Sequence, residues 1–245
     1  LAHLRELIRS RIQRRSTGTY VLEGRRSVDQ AMDLAVEIEL LFVTEDRAKS
    51  YQALGDRLRI VTEKRLTQIS SLTSSDGVVG IAPMVMTAAD ELPSQDCILV
   101  PVGVQDPGNL GTLLRSALAF YQRVGLVVGP ATVDPFSPKV VRATTGLISL
   151  VAVSEVEDYR SCLEALGGAG VTRLALVPQS LGSLPVDPPA TPFALLVGSE
   201  AHGIDGDLVS GCDGVISIPQ KSQVESLNAG VAGSIALFHC AQPRS

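Results

Sequence analysis

The sequence predicts an α/β protein made of two units. Three observations carry this. Short β-branched and aliphatic runs alternate with helical segments along most of the chain. Beyond residue 95 those runs become almost continuously apolar, as suits central parallel strands covered on both faces. Between the two regimes lies Pro83–Gln95, rich in Pro, Thr, Ala and Ser and weak in periodicity, which reads as a linker. The expected organisation is a first unit over 1–83, a linker over 84–95 and a second unit over 96–245.

In the first unit, residues 1–15 read as one helix. Leu4, Leu7, Ile8 and Ile12 share a face and the arginines take the other. That basic face is either a solvated surface or a phosphate-contacting arm. A strand follows at Tyr20–Glu23, closed by Gly24, then a helix over Ser27–Ala35 with Ser27 as candidate cap. Strands at Leu40–Thr44, Leu58–Val61 and Val78–Ala82 alternate with helices at Glu45–Leu54 and Glu63–Ser70.

In the second unit, strands are expected at Cys97–Val102, Val124–Val128, Leu174–Val177, Phe193–Val197 and Val215–Ile218. Helices are expected at Asn109–Phe120, Pro138–Thr145, Val156–Leu166 and Glu225–Cys240, giving an open, mostly parallel sheet with helices on both sides. The stretch Pro185–Pro192 reads as a rigid connector.

Composition excludes several classes. With 45% hydrophobic and 19% charged residues, the chain is not intrinsically disordered. A net charge of -5 argues against a uniformly basic nucleic-acid coat, but an average hides distribution. Seven arginines fall in the first 26 residues, against Glu6 and Glu23 alone, so the start is basic and the remainder acidic. The absence of Trp and only 4% aromatic residues speak against a base-stacking platform. No apolar run reaches the roughly 18–20 residues that span a bilayer, so no membrane partner is expected. No signal-peptide core is visible. Four spaced cysteines without CxxC fit reduced, buried thiols in a cytoplasmic protein. Three scattered histidines form no metal-ligand cluster, and no metal is expected.

In parallel α/β sheets, ligands bind outside the C-terminal ends of the strands. Three loops at such ends stand out. Gly103–Gly111 is a Gly-rich turn opening a helix, with Asn109 at the junction, aimed back at Arg115. A helix N-terminus favours anions, and Arg115 offers a planar fork for phosphate. A capped helix with an exposed Arg is the plain alternative. The spacing matches neither GxGxxG nor GxxxxGK[ST], which weakens a nicotinamide-dependent oxidoreductase reading. Gly198–Ile204 places Glu200 in a tight turn, where it could hold an Arg, cap a helix or bind a hydroxyl. Pro219–Ala232 is a polar loop entering a helix of small residues, with Ser226 and Asn228 at its start. Alone these would be caps and local bonds.

Together and in order, the three loops resemble the SpoU (TrmH-like) class of SPOUT RNA 2′-O-ribose methyltransferases. Asp106-Pro107-Gly108-Asn109-Leu110-Gly111 through Arg115 resembles the first motif of that class. Gly198-Ser199-Glu200 through Gly203 resembles the second, and Ile218-Pro219 through Ser226-Leu227-Asn228 the third. Ser137–Gly146 is similar to a further segment, and Tyr20–Gly24 to the start of the ribosomal-protein-L30e-like substrate-binding domain.

The resemblance implies a small L30e-like domain followed by a SPOUT domain with a deep trefoil knot. It implies S-adenosylmethionine as cofactor, held by Gly198, Ile218, Gln220 and Leu227. Gln220 stands where Met is common and Thr144 where Ser is usual. Asn109, Arg115, Glu200, Ser226 and Asn228 would complete the catalytic site. Arg9, Arg11, Arg14, Arg15, Arg25 and Arg142 are the expected RNA-facing cations. A homodimer is implied, with Leu227, Val231, Ile235, Leu237 and Phe238 of the last helix toward the twin. The expected substrate is large-subunit rRNA. The alternatives are the same chemistry on tRNA, or an RNA-binding protein of this fold without activity.

Overall fold

A computed structural model describes residues 1–71, 76–178, 189–221, 223 and 226–242. The first half of the Pro185–Pro192 connector and the expected helix start at Glu225 lie outside the described residues. The chain forms two compact units: Leu1–Val85 with Asp134–Ser149, and Met86–Val133 with Leu150–Ser245.

The first unit opens with two helices where one was expected, α1 (Ala2–Arg9) and α2 (Arg11–Thr17). Ser10 is extended, and its hydroxyl accepts from Gln13 N at 3.2 Å, capping α2. That break resets the helical phase. Leu4 and Leu7 remain buried, Ile12 turns out to 79% exposure, and Arg14 turns in. The sheet order is β1 (Thr19–Glu23), β4 (Val78–Pro83), β2 (Leu40–Val43), β3 (Leu58–Ile60). Strand β4 runs antiparallel to both neighbours, while β2 and β3 are parallel. Helix α3 (Arg25–Asp33) starts two residues earlier than expected, with Gly24 rather than Ser27 at its cap position. Gly24 has a φ of 88°, which only glycine adopts without strain. Short helices α4 (Glu45–Ala48) and α5 (Glu63–Thr67) complete the covering, and a 3-10 stretch over Lys49–Arg57 replaces the second half of the expected helix from Glu45.

The contacts also bring Asp134–Ser149 into this unit, although the sequence reading put that stretch in the second. Its helix, here numbered α7 (Pro138–Ala143), is capped by Ser137, and the adjoining Phe136 ring packs on Tyr20 with centroids 5.3 Å apart.

The second unit is a six-stranded, wholly parallel sheet in the order β10-β8-β9-β5-β6-β7. Its strands are β5 (Cys97–Val102), β6 (Val124–Val128), β7 (Val151–Glu155), β8 (Thr172–Leu176), β9 (Phe193–Gly198) and β10 (Gly214–Ile216). Strand β7 was not foreseen. Helices α6 (Pro107–Phe120), α8 (Tyr159–Gly168), α9 (Gly206–Ser210) and α10 (Ala229–Cys240) accompany it. On one face Leu163, Leu166 and Tyr159 of α8 pack on Ile98, Val100, Val127 and Leu196. Leu92, within the stretch expected as linker, is fully buried in the same cluster. Helices α6 and α10 pack on each other closely. A Cβ added at Gly233 would run into Leu113 Cδ2, and one at Gly230 would come within 3.2 Å of Asn109 Cα. The small residues of α10 therefore serve this approach. Among the described residues no helix is long and apolar enough to cross a membrane.

Candidate active site

Strands β5 and β9 are central neighbours, with Val102 paired to Gly198 at their C-terminal ends. The chain order reverses here: β6 and β7 extend one way from β5, while β9, β8 and β10 extend the other. This is the position where open parallel sheets bind ligands.

The loop after β5 ends at Asp106, whose carboxylate caps α6 by accepting from Asn109 N at 2.8 Å. Pro107 at the first helical position needs no N–H partner. Asn109 is thereby fixed at the third position of the helix, buried, with its amide turned toward the β9 loop. Its Nδ2 donates to Glu200 Oε1 at 3.2 Å. Asn228 donates through Nδ2 to the same oxygen at 2.8 Å and to Asn109 Oδ1 at 2.7 Å. The Ala229 N–H, at the start of α10, adds a third bond to Glu200 Oε1 at 3.2 Å. Asn228 also caps α10, accepting from Val231 N at 3.1 Å. One carboxylate oxygen therefore ties together three loops, and charge-assisted bonds of this kind are the stronger ones.

The expectation that Asn109 aims at Arg115 is corrected. Asn109 is committed to Glu200 and Asn228, and of the two residues that Glu200 could orient, Arg115 or Asn109, it holds Asn109, together with Asn228. Arg115, just over two turns along α6, is exposed and makes no hydrogen bond or ion pair among the described residues. Its guanidinium is left available to a ligand.

A cavity of about 410 Å³ lies against this network. Its walls include Gly198, Ile218, Gln220 and Leu227, the four residues expected to hold a cofactor, together with Glu200 and Ser226. Leu176, Val177 and Pro178, at the end of β8, form a further apolar wall that the sequence reading missed. The signal was present, since β8 is another apolar strand ending at the same edge. Gly198 is needed for a second reason: a Cβ there would collide with the Gly203 carbonyl, so the turn could not close. A smaller cavity of about 280 Å³ is lined by Gln105, Asp106, Asn109, Glu200 and His202. Ser199, Glu200, His202 and Ala229 line both cavities. His202 was also missed, being one histidine in a tight turn.

The expected RNA-facing cations divide. Arg9, Arg11 and Arg25 are exposed. Arg25 pairs with Asp29 one turn on, at 3.0 Å. Arg14 is corrected: it is 4% exposed and its fork donates to Asp134 Oδ2 at 2.9 and 2.6 Å. Arg15 is half-buried over the Phe136 ring and donates to Met84 Sδ. Arg142 is also corrected, being ion-paired to the buried Glu23 and bonded to Ser71. These three hold the first unit together. On α10, Leu237 is fully buried rather than outward, whereas Val231, Ile235 and Phe238 are 45%, 38% and 55% exposed.

A parallel α/β sheet whose switch-point loops join in an asparagine–carboxylate network beside a cavity of ligand size has the form of a ligand-binding α/β site. Residues 96–238 match the model of the SpoU rRNA methylase family, and residues 3–80 match that of the MRM3-like substrate-binding domain. The chain belongs to the SpoU rRNA methylase family and is a methyltransferase. It is 30% identical to the 23S rRNA (guanosine(2553)-2′-O)-methyltransferase RlmP of Bacillus subtilis, over 93% of this chain and 90% of that protein. It is also 30% identical to the 23S rRNA (uridine(2479)-2′-O)-methyltransferase of Streptomyces viridochromogenes, over 97% and 88%. Among solved structures, an AdoMet-bound rRNA methyltransferase from Sinorhizobium meliloti superposes with a TM-score of 0.82 at 28% identity, covering 98% of this chain and 92% of that one.

Proposed function

We propose that this protein transfers a methyl group from S-adenosylmethionine to a ribose 2′-hydroxyl of large-subunit ribosomal RNA. The observation that carries this reading is the joining of Asn109, Glu200 and Asn228 beside the cavity lined by Gly198, Ile218, Gln220 and Leu227. Both relatives named above are 23S rRNA 2′-O-methyltransferases, which supports the substrate class. They carry different target nucleotides at the same identity to this chain, so similarity at this level fixes the reaction and not the position.

The cavity suits the cofactor. Ligand sites are typically about 300–1,000 Å³, mostly apolar, with a few placed polar groups. Leu176, Val177, Ile218 and Leu227 offer apolar walls for a purine, while Gln220, Ser226 and backbone groups at Gly198 offer polar contacts. When bound, S-adenosylmethionine supplies an electrophilic methyl on a sulfonium, already activated. The residues of the chain must then align the ribose oxygen, which is catalysis by position.

Asn109 and Asn228, locked by Glu200, would present a fixed polar wall to the ribose. Arg115 would grip the neighbouring phosphate with its planar fork and stabilise charge developing on the oxygen. It stays protonated in proteins and so is not the proton acceptor. Arg9, Arg11 and Arg25 would meet RNA phosphates. The exposed stripe of Val231, Ile235 and Phe238, spaced at i, i+4 and i+7 beside Phe120, would pack against a second copy.

The test is incubation of the protein with methyl-labelled S-adenosylmethionine and either rRNA or tRNA, followed by alkaline hydrolysis. Label in alkali-resistant dinucleotides from rRNA is the expected result. Label on bases, or in tRNA alone, overturns the reading.

A further inference from the structure

We propose that the His202 imidazole accepts the proton that the ribose 2′-hydroxyl loses during methyl transfer, an assignment that rests on the reading above. His202 sits in the tight turn between β9 and α9, in the segment Ser199–Gly203 closed by a bridge between its ends. Its backbone N–H donates to Ser199 Oγ at 3.2 Å, which fixes the turn and leaves the ring free of that task. The residue is exposed, and its side chain makes no hydrogen bond among the described residues. The residue lines both the larger and the smaller cavity, so it stands where a ligand in one would meet a ligand in the other.

The other titratable groups at these walls are poorer acceptors for stated reasons. Glu200 Oε1 already takes three N–H bonds, and adding a proton to that carboxylate would weaken the bonds that join the three loops. Asp106 is likewise committed, its Oδ1 capping α6. Lys221, on the larger cavity, and Arg115 are cations with no lone pair to offer. A neutral imidazole has a free acceptor nitrogen, and it is the most common general base in enzymes.

The step balances. The O2′–H bond breaks and its proton passes to a ring nitrogen of His202 as the O2′–methyl bond forms and the methyl–sulfur bond breaks. The products are a 2′-O-methyl ribose, a neutral thioether and an imidazolium, which returns its proton to water.

The test uses the full chain with His202→Gln and His202→Ala. Turnover is expected to fall by about 10²-fold or more at neutral pH, measured at saturating S-adenosylmethionine so that any change in cofactor affinity does not enter the rate. Added imidazole should restore part of the rate to His202→Ala but not to the parent. Independently of turnover, the His202 ring resonances should move on binding RNA with a 2′-hydroxyl at the target and stay in place with the 2′-deoxy analogue, without cofactor. Both variants turning over within about twofold of the parent, or ring resonances blind to the 2′-hydroxyl, overturn this assignment while the methyl-transfer reading stands. A parent that places no methyl on ribose overturns both.

Discussion

The Asn228 side-chain nitrogen donates to Asn109 Oδ1 at 2.7 Å, across 119 residues of sequence. Each asparagine also donates to Glu200 Oε1. Neither amide is free to rotate, because turning Asn109 over would set its NH2 against the Asn228 donor. The pair thus presents one fixed pattern of donors and acceptors.

Asn109→Ala should lower methyl transfer by 10-fold or more while cofactor affinity changes little, since Asn109 lines the smaller cavity and not the larger. Calorimetry with S-adenosylmethionine beside a turnover assay checks this. Equal losses in both would place Asn109 on the cofactor side.

Arg115 has no partner among the described residues to hold it in place, so its substitution should leave the melting temperature unchanged. Arg115→Lys keeps the charge and loses the planar fork. Turnover is expected to fall at least tenfold. Near-parental turnover would mean that a point charge suffices.

Arg14→Ala and Arg9→Ala should behave in opposite ways. Arg14 and Asp134 form a buried ion pair, with side chains 5% and 9% exposed. Removing one partner of such a pair costs about 3–5 kcal/mol, read in denaturant unfolding. Arg9 is exposed, so its loss should spare stability. If it meets phosphate, the dependence of RNA affinity on salt should flatten by about 0.7–0.9 in slope. An unchanged slope would make Arg9 part of a solvated face.

Phe238→Glu and Gly233→Val separate the two sides of α10. Phe238→Glu should convert a dimer to monomer in sedimentation and leave the fold intact. A parent already monomeric at micromolar concentration would sink the dimer reading. Gly233→Val should instead destabilise by about 1–3 kcal/mol, because its side chain must displace Leu113.

Much of this was legible in the sequence for physical reasons. The second unit's strands announce themselves as continuous apolar runs because both of their faces are covered. The three loops could be ranked because parallel sheets place ligands at one edge. Strand β7 was missed because Val151-Ala152-Val153-Ser154-Glu155 is short and half small or polar, as an edge strand can be. The break at Ser10 was missed because a serine cap inside a helical pattern looks like any surface serine. Arg14 and Arg142 were assigned to RNA because charge density is visible in sequence, while the acids that claim them, Asp134 and Glu23, lie 120 and 119 residues away. The direction of Asn109 was misjudged for the same reason: its partners are tertiary, and Arg115 was merely the nearest polar residue along the chain.

The Glu200 knot of hydrogen bonds has a consequence in time. Its three contributors leave the ribosome in sequence, and Asn228 follows Asn109 by 119 residues. At about 5–20 residues per second, that interval is roughly 6–24 s. Until it ends, Asn109 and Glu200 lack Asn228 and the first amide of α10, and the larger cavity lacks the wall formed by Leu227 and Ala229. The three-loop network is therefore complete only once the start of the last helix has emerged.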